Sequence, residues 1–204
     1  CCIYSFYCCI RKTRFATVKM KLPLKTLTLE VDIAFSGFVP DILKENLDFE
    51  TQGFLTNIKI WDPLITNWIH YIRNDYNLSC PLLVRKSNLL SMGLMLSDDL
   101  SLKDLNNRWR SKNVTTDVIS FPAFDENVAL PPHEVIELGD IVLSVDTAIK
   151  QSKDNNHSLI YELKWLVSHG LLHLLGWEHP SSASLDKMLA LQEKLIETTR
   201  DLNL

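Results

Sequence analysis

The segment SLIYELKWLVSHGLLHLLGWEHP, residues 158–180, constrains this chain more than any other. Ser158 is placed to cap a helix, and Gly176 is placed to end it in the left-handed conformation that glycine adopts without steric cost. Within this apolar run His169 and His173 stand four residues apart, so their rings project from one face, one turn apart. The turn at Gly176 can carry His179 back toward the same point. A lone histidine on an apolar face is more often a hydrogen-bonded core residue. The four-residue pair, with a third imidazole just past a glycine turn, favours a metal instead. Neutral imidazole is a good ligand for zinc, and three protein ligands with a fourth position left to water describe a catalytic site rather than a closed structural one.

Around this helix the pattern is mixed. KTLTLEVDIAF alternates Leu27, Leu29, Val31 and Ile33 with polar residues, the period of a half-buried strand. Residues 36–60 keep no period and are expected to form a loop with a short helical piece. A helix is expected to enter through Asp62 and Pro63 and to carry Leu64, Trp68, Ile69 and Ile72 on one side. Strands are expected near 82–86 and 89–96. A short helix follows, with Ser101 and Asp104 resembling a capping box and Leu102, Leu105 and Trp109 as its stripe. TTDVISFP reads as a strand stopped at Pro122, followed by a polar Pro131-Pro132 loop. Strand 138–144 runs directly into a helix, and a last helix covers about 182–200. The fold class is therefore α+β, a mixed sheet of about four to five strands packed with about five helices. The metal site falls at the C-terminal end of a central helix.

The first twenty residues are foreign to the rest. They hold Cys1, Cys2, Cys8 and Cys9, four of the five cysteines, and the first acidic residue is Glu30. Arg11, Lys12 and Arg14 follow the apolar part, the reverse of an export signal. A mis-assigned start with Met20 as initiator, a disordered or targeting extension, and a cysteine-based metal or disulfide cluster compete here. The first is adopted, so residues 1–19 are expected to be a dispensable extension and 20–204 a single domain. Cys80 is then the body's one thiol, which suits a reduced cytosolic compartment, or an organellar stroma or matrix if 1–19 is a targeting remnant. No run approaches the roughly 18 apolar residues of a membrane span. With 21 Lys and Arg against 25 Asp and Glu, the formal net charge of −4 gives no global footprint for nucleic acid. Any RNA site must be local.

The spacing H-x-x-x-H-x-x-G-x-x-H also occurs in metzincin proteases, where the first histidine is followed by a general-base glutamate. Gly170 stands at that position here, so the proteolytic base is absent. Gly170→Glu is expected to leave a folded or mildly destabilised protein without peptidase activity.

With glycine there, HGLLHLLGWEH resembles the YbeY family, the single-strand-specific, zinc-dependent endoribonucleases of bacteria and organelles. The family pattern H-G-x-L-H-L-x-G-aromatic-D-H is departed from only at Glu178. LNNRWRSKNVTTDVISFP matches a second hallmark and LGDIV, residues 138–142, a third, while the last helix with Met188 and Gln192 looks like the family's C-terminal helix. Residues 1–19 match nothing, and the 36–60 loop matches poorly. The resemblance implies a role in ribosomal RNA processing, particularly small-subunit RNA 3′-end maturation, and in ribosome quality control. Ribosomal RNA and the ribosome or its small-subunit proteins are the expected partners, and one zinc per chain the cofactor.

Under that resemblance His169, His173 and His179 hold the metal. His169 and Arg110 are the expected catalytic residues, Arg110 as a fork of donors for phosphate oxygens. Glu178 is a candidate acceptor of a proton from water at the metal, or else a solvent-facing turn residue. Asp140 and Asp117 either orient a ligand imidazole from behind or tie down local structure. Arg108 and Lys112 either extend a positive strip for RNA or are solvated helix-end charges. His70, His133 and His157 are expected to be surface or capping residues. The competing functions are a non-catalytic ribosome-assembly factor with a structural zinc, and a metal-dependent hydrolase of another substrate.

Overall fold

The computed structural model describes residues 29–45, 47–123 and 135–200. Residues 1–19, Met20, Leu27, the Pro131-Pro132 loop and His133 lie outside the described residues. Four strands form one mixed sheet: β1 (Glu30–Ser36), β2 (Leu89–Ser97), β3 (Val118–Pro122) and β4 (Ile136–Ser144). Their order is β1-β2-β4-β3. β1 runs parallel to β2 with Ile33 beside Met92, and β2 parallel to β4 with a register shift at Ser91/Met92. The edge strand β3 runs antiparallel to β4, with Ile119 beside Val142.

Seven α-helices stand among the described residues: α1 (Phe49–Thr56), α2 (Ile58–Asn74), α3 (Leu82–Lys86), α4 (Asp99–Arg110), α5 (Val145–Asp154), α6 (Leu159–Leu174) and α7 (Ser182–Thr198). The helix with the histidines is α6, which packs on β3 and β4 between α5 and α7. Ser158 caps it by accepting from the Tyr161 N–H at 3.1 Å. β4 runs directly into α5 through Ser144, whose hydroxyl accepts from Thr147 N–H at 3.1 Å.

One local expectation is met and three are corrected. The short helical piece expected within 36–60 is α1; Asp48 caps it at 2.8 Å from Thr51 N, and it buries only Phe54 and Leu55, too few for a visible period. α2 starts at Ile58 under an Asn57 cap, which leaves Pro63 inside the helix. An interior proline removes one ladder bond and costs about 3 kcal/mol. Full burial of Trp61, Leu64, Ile65 and Trp68 offsets it, each such side chain contributing about 1.5–3 kcal/mol. The Trp61 indole also donates to Phe54 O at 2.8 Å, which ties the helix start to α1.

Residues 82–86 are helical rather than extended. Only Val84 is buried, and Arg85 closes the end of α2 by donating to the carbonyls of Arg73 at 2.5 Å, Asp75 at 3.0 Å and Leu78 at 2.5 Å. The cap of α4 is Asp98, 2.7 Å from Ser101 N, while Asp104 pairs with Arg108. Leu102 of the expected stripe is buried, but Trp109 is exposed.

α6 meets the sheet at Gly170. A Cβ there would stand 2.9 Å from Ile141 Cγ2 and 3.0 Å from Ser120 Oγ, and the Ser120 hydroxyl donates to Gly170 O at 3.1 Å. A side chain there fits only if Ile141, the Ser120 hydroxyl or the helix itself shifts. Mild destabilisation is therefore too lenient an expectation for Gly170→Glu, which would also bury a carboxylate. Gly170→Ala should lower the unfolding free energy by about 1–3 kcal/mol in urea titration, and Gly170→Glu should not accumulate folded protein. A wild-type urea midpoint for the alanine variant would show that the contact is slack.

Candidate metal centre

The three imidazoles are brought together by the end of α6. Gly176, at φ +81°, lets Trp177 N–H donate to Leu172 O at 3.0 Å and Gly176 N–H to His173 O at 3.0 Å. These are the paired bonds of a Schellman ending. The Trp177 indole then donates to Ser79 O at 2.9 Å and pins the turn. His179 returns to the helix with ring centroids 5.4 Å from His169 and 5.2 Å from His173. One nitrogen from each ring lies within 4.8 Å of the others. The Nε2 atoms of His169 and His173 are 3.1 Å apart, close to the roughly 3.3 Å between two nitrogens about 2.0–2.1 Å from a tetrahedral zinc.

The opposite ring nitrogens explain this convergence. His169 Nδ1 lies 2.9 Å from Gln192 Oε1, an atom that can only accept, so the proton sits on Nδ1 and Nε2 keeps its lone pair. The Gln192 amide is held in turn, its Nε2 donating to Trp165 O at 3.1 Å. His173 Nδ1 lies 3.8 Å from Glu178 Oε1. Burial, then the neighbouring His169, lower the His173 pKa against the pull of Glu178, which favours the neutral, ligating form.

A cleft of 280 Å³ opens on the histidines, lined also by Arg110, Thr116, Asp117, Ser120 and Trp165. Arg110 ends α4, and Ser111 follows it in the left-handed region at φ 55°, turning the chain sharply. Buried Asn106 supports that turn, its amide donating to Val114 O at 2.9 Å. Asp117 lines the cleft but spends its oxygens on local ties: Oδ1 accepts from Val118 N at 2.8 Å and Oδ2 from Gln151 Nε2 at 3.0 Å.

Other candidates stand elsewhere. Asp140 is beside Phe121 in the sheet, and Phe121 packs on Trp109 of α4. Its neighbour Ile141 meets Gly170, so the alternation of the strand places Asp140 on the face opposite the α6 contact. Glu178 sits on the Nδ1 side of His173, 78% exposed and outside the lining of this cleft; together with His173 it lines a neighbouring opening of 490 Å³. Arg108 is paired with Asp104 at 2.6 Å, and both it and Lys112 are exposed helix-end charges outside the lining. His70 is exposed and bonded to Asn74 at 2.9 Å. His157 does more than cap, because it pairs with buried Glu162 at 2.9 Å. Gln192 and Asn106 carry supporting roles that the pattern did not assign. The signal was a polar residue at a buried position of an apolar stripe, as Gln192 is among Met188, Leu191 and Leu195.

Fold and site together define an α+β protein with a three-histidine constellation, fit for one divalent cation, on the floor of a cleft. The family model for endoribonuclease YbeY matches residues 52–200. An endoribonuclease YbeY of Prochlorococcus marinus (strain SARG) is 49% identical over 173 residues, covering 85% of this chain and 89% of the relative. Another, of Prochlorococcus marinus (strain MIT 9313), is 47% identical over 175 residues, covering 86% and 94%. One of Synechococcus sp. (strain CC9902) is 50% identical over 139 residues, covering 68% and 77%. The chain belongs to the endoribonuclease YbeY family.

Gln192→Leu keeps the volume but strips His169 of its Nδ1 partner. The variant should bind zinc about 10- to 100-fold more weakly by competition with a chromophoric chelator. It should also lose about 1–3 kcal/mol of stability from the unsatisfied groups left behind. Wild-type zinc affinity in a folded Gln192→Leu protein would remove Gln192 from the site.

Proposed function

We propose that this chain is a single-strand-specific, zinc-dependent endoribonuclease of ribosomal RNA processing, acting in small-subunit RNA 3′-end maturation and ribosome quality control. The observation that carries this reading is one cleft lined by three convergent imidazoles and an arginine, in a chain of the endoribonuclease YbeY family. The donor set fits the metal: three nitrogens, one fixed by Gln192 and one whose pKa burial lowers toward the neutral, ligating form. Zinc held there supplies Lewis-acid polarisation and acidifies water.

The chain's own residues supply the rest. Arg110 presents planar paired donors to phosphate oxygens, whose charge grows as the phosphodiester is cut. Gln192 keeps the His169 proton on Nδ1, and Asp117 ties the start of β3 to α5 beside the cleft. Gly170 leaves no carboxylate next to His169, so the proteolytic base has no counterpart. On this reading 20–204 is the nuclease domain. With a net charge of −4, contacts with the ribosome or its small-subunit proteins help to deliver the RNA. The place of action is the cytoplasm, or an organellar matrix or stroma. No helix among the described residues is long and apolar enough to cross a membrane.

A purely structural zinc in an assembly factor is less favoured. Structural sites are closed by four protein ligands, whereas this group of three donors among the described residues opens on a cleft.

Metal-loaded protein should cleave single-stranded RNA and spare a duplex of the same sequence. His173→Ala should abolish cleavage; wild-type rates in that variant would contradict the proposal. Arg110→Ala and Arg110→Lys should both lose about a hundredfold in single-turnover rate, on the order of 3 kcal/mol, because a point ammonium does not replace the planar fork. Metal content should be unchanged in both. Wild-type rates for the lysine variant would reduce Arg110 to an electrostatic tether.

A further inference from the structure

Helix α6 carries two large aromatic side chains that the hydrophobic core does not use. Tyr161 and Trp165 are half-buried, yet the core takes Leu163, Leu166, Val167 and Leu171 from this helix and neither of them. They stack on each other instead, with ring centroids 6.0 Å apart and planes 20° from parallel. The His157 ring extends the row, 4.9 Å from Tyr161. Four-residue spacing holds Tyr161 and Trp165 on one face, and the next step along it is His169. Trp165 lines the cleft with His169 and Arg110, whereas Tyr161 does not. The row therefore ends in the cleft, with Trp165 as its last ring.

We propose that Trp165, backed by Tyr161, is a stacking site for one unpaired base of the RNA substrate, beside the phosphate that Arg110 holds. This rests on the ribonuclease reading of the cleft. A base within a duplex has both faces covered by its neighbours, and only an unstacked base can lie on a protein ring. The single-strand requirement then follows from the shape of the cleft wall.

Charge separates the two ends of the nucleotide. Burial and then Glu193 raise the Tyr161 phenol pKa, and Glu193 is an exposed carboxylate beside the row, whereas Glu162 is buried and paired with His157. The Glu193 charge repels a phosphate but not the uncharged face of a base, and the backbone is directed to the arginine. Stacking on Tyr161 also holds the Trp165 ring in place before RNA arrives, so less side-chain freedom is lost on binding. Because every base has such a face, the site is tolerant of sequence.

The test measures binding of a labelled single-stranded RNA by fluorescence anisotropy, with KM and kcat from initial rates. The probes are an intact RNA cut at a single position, which fixes its register in the cleft, and a series carrying one abasic residue at each position in turn. One abasic position should weaken wild-type binding by about tenfold to a hundredfold. Trp165→Leu should weaken intact RNA by a similar factor, mainly in KM, and should no longer distinguish that abasic RNA from the intact one. Trp165→Phe should retain most of the affinity. Equal losses of Trp165→Leu on intact and abasic RNA would assign the ring to packing and overturn the proposal. If Trp165→Leu fails to fold, the abasic series on the wild type and Trp165→Phe decides, and indifference to every position overturns the site. Cleavage by a wild type that is indifferent to every position leaves the ribonuclease reading standing without the stacking site. A wild type that neither binds nor cleaves overturns both.

Discussion

The approach of α6 to the sheet is the constraint on which the site depends. At Gly170 the helix backbone lies against Ile141 and the Ser120 hydroxyl, so closely that a methyl group would force one of them to shift. His169 immediately precedes this contact and His173 follows by a turn, so the closeness of helix and sheet sets how far the imidazoles stand from the β3 edge. Arg110, Asp117 and the start of β3 line the same cleft as the imidazoles. The glycine that removes a protease base is also the glycine that lets the helix dock. The absence of the carboxylate is thus built into the packing as well as into the chemistry.

Buried polar groups then decide which imidazole atoms are offered. Gln192 is fully buried on α7, where an unpaired amide would cost about 1–3 kcal/mol. It spends its oxygen on His169 Nδ1 and its nitrogen on Trp165 O. One side chain therefore links α7 to two positions of α6 and selects the His169 tautomer. Trp165 is placed by the same link, since its backbone is the amide's second partner. The aromatic row and the metal centre share a scaffold, although no hydrogen bond joins the two rings.

Much of this was legible because it is local. Ser158, the His169–His173 pair, Gly176 and the β4–α5 junction are each specified within a few residues, and the structure keeps them with small shifts at the ends. Less legible were elements that depend on distant partners. α3 has one buried residue and exists to close α2 through Arg85, a role that no period within 82–86 announces. Pro63 read as a helix start because its penalty is visible in sequence, whereas the burial of Trp61 that outweighs it comes from tertiary packing. Asp140 and Glu178 each keep two readings in the sequence, one beside the histidines and one apart from them. Only the strand pleat sends one to the far face, and only the turn after Gly176 sets the other on the Nδ1 side of His173.

The central claim is that His169, His173 and His179 act together as one open, three-nitrogen cation site. Titration of the chain with Co²⁺, followed by visible absorption, tests it most directly, because band intensity distinguishes four-coordinate from six-coordinate cobalt. One equivalent should develop the intense bands of a four-coordinate ion and saturate there. Failure to bind, or only the weak spectrum of hydrated cobalt at every ratio, would contradict the account.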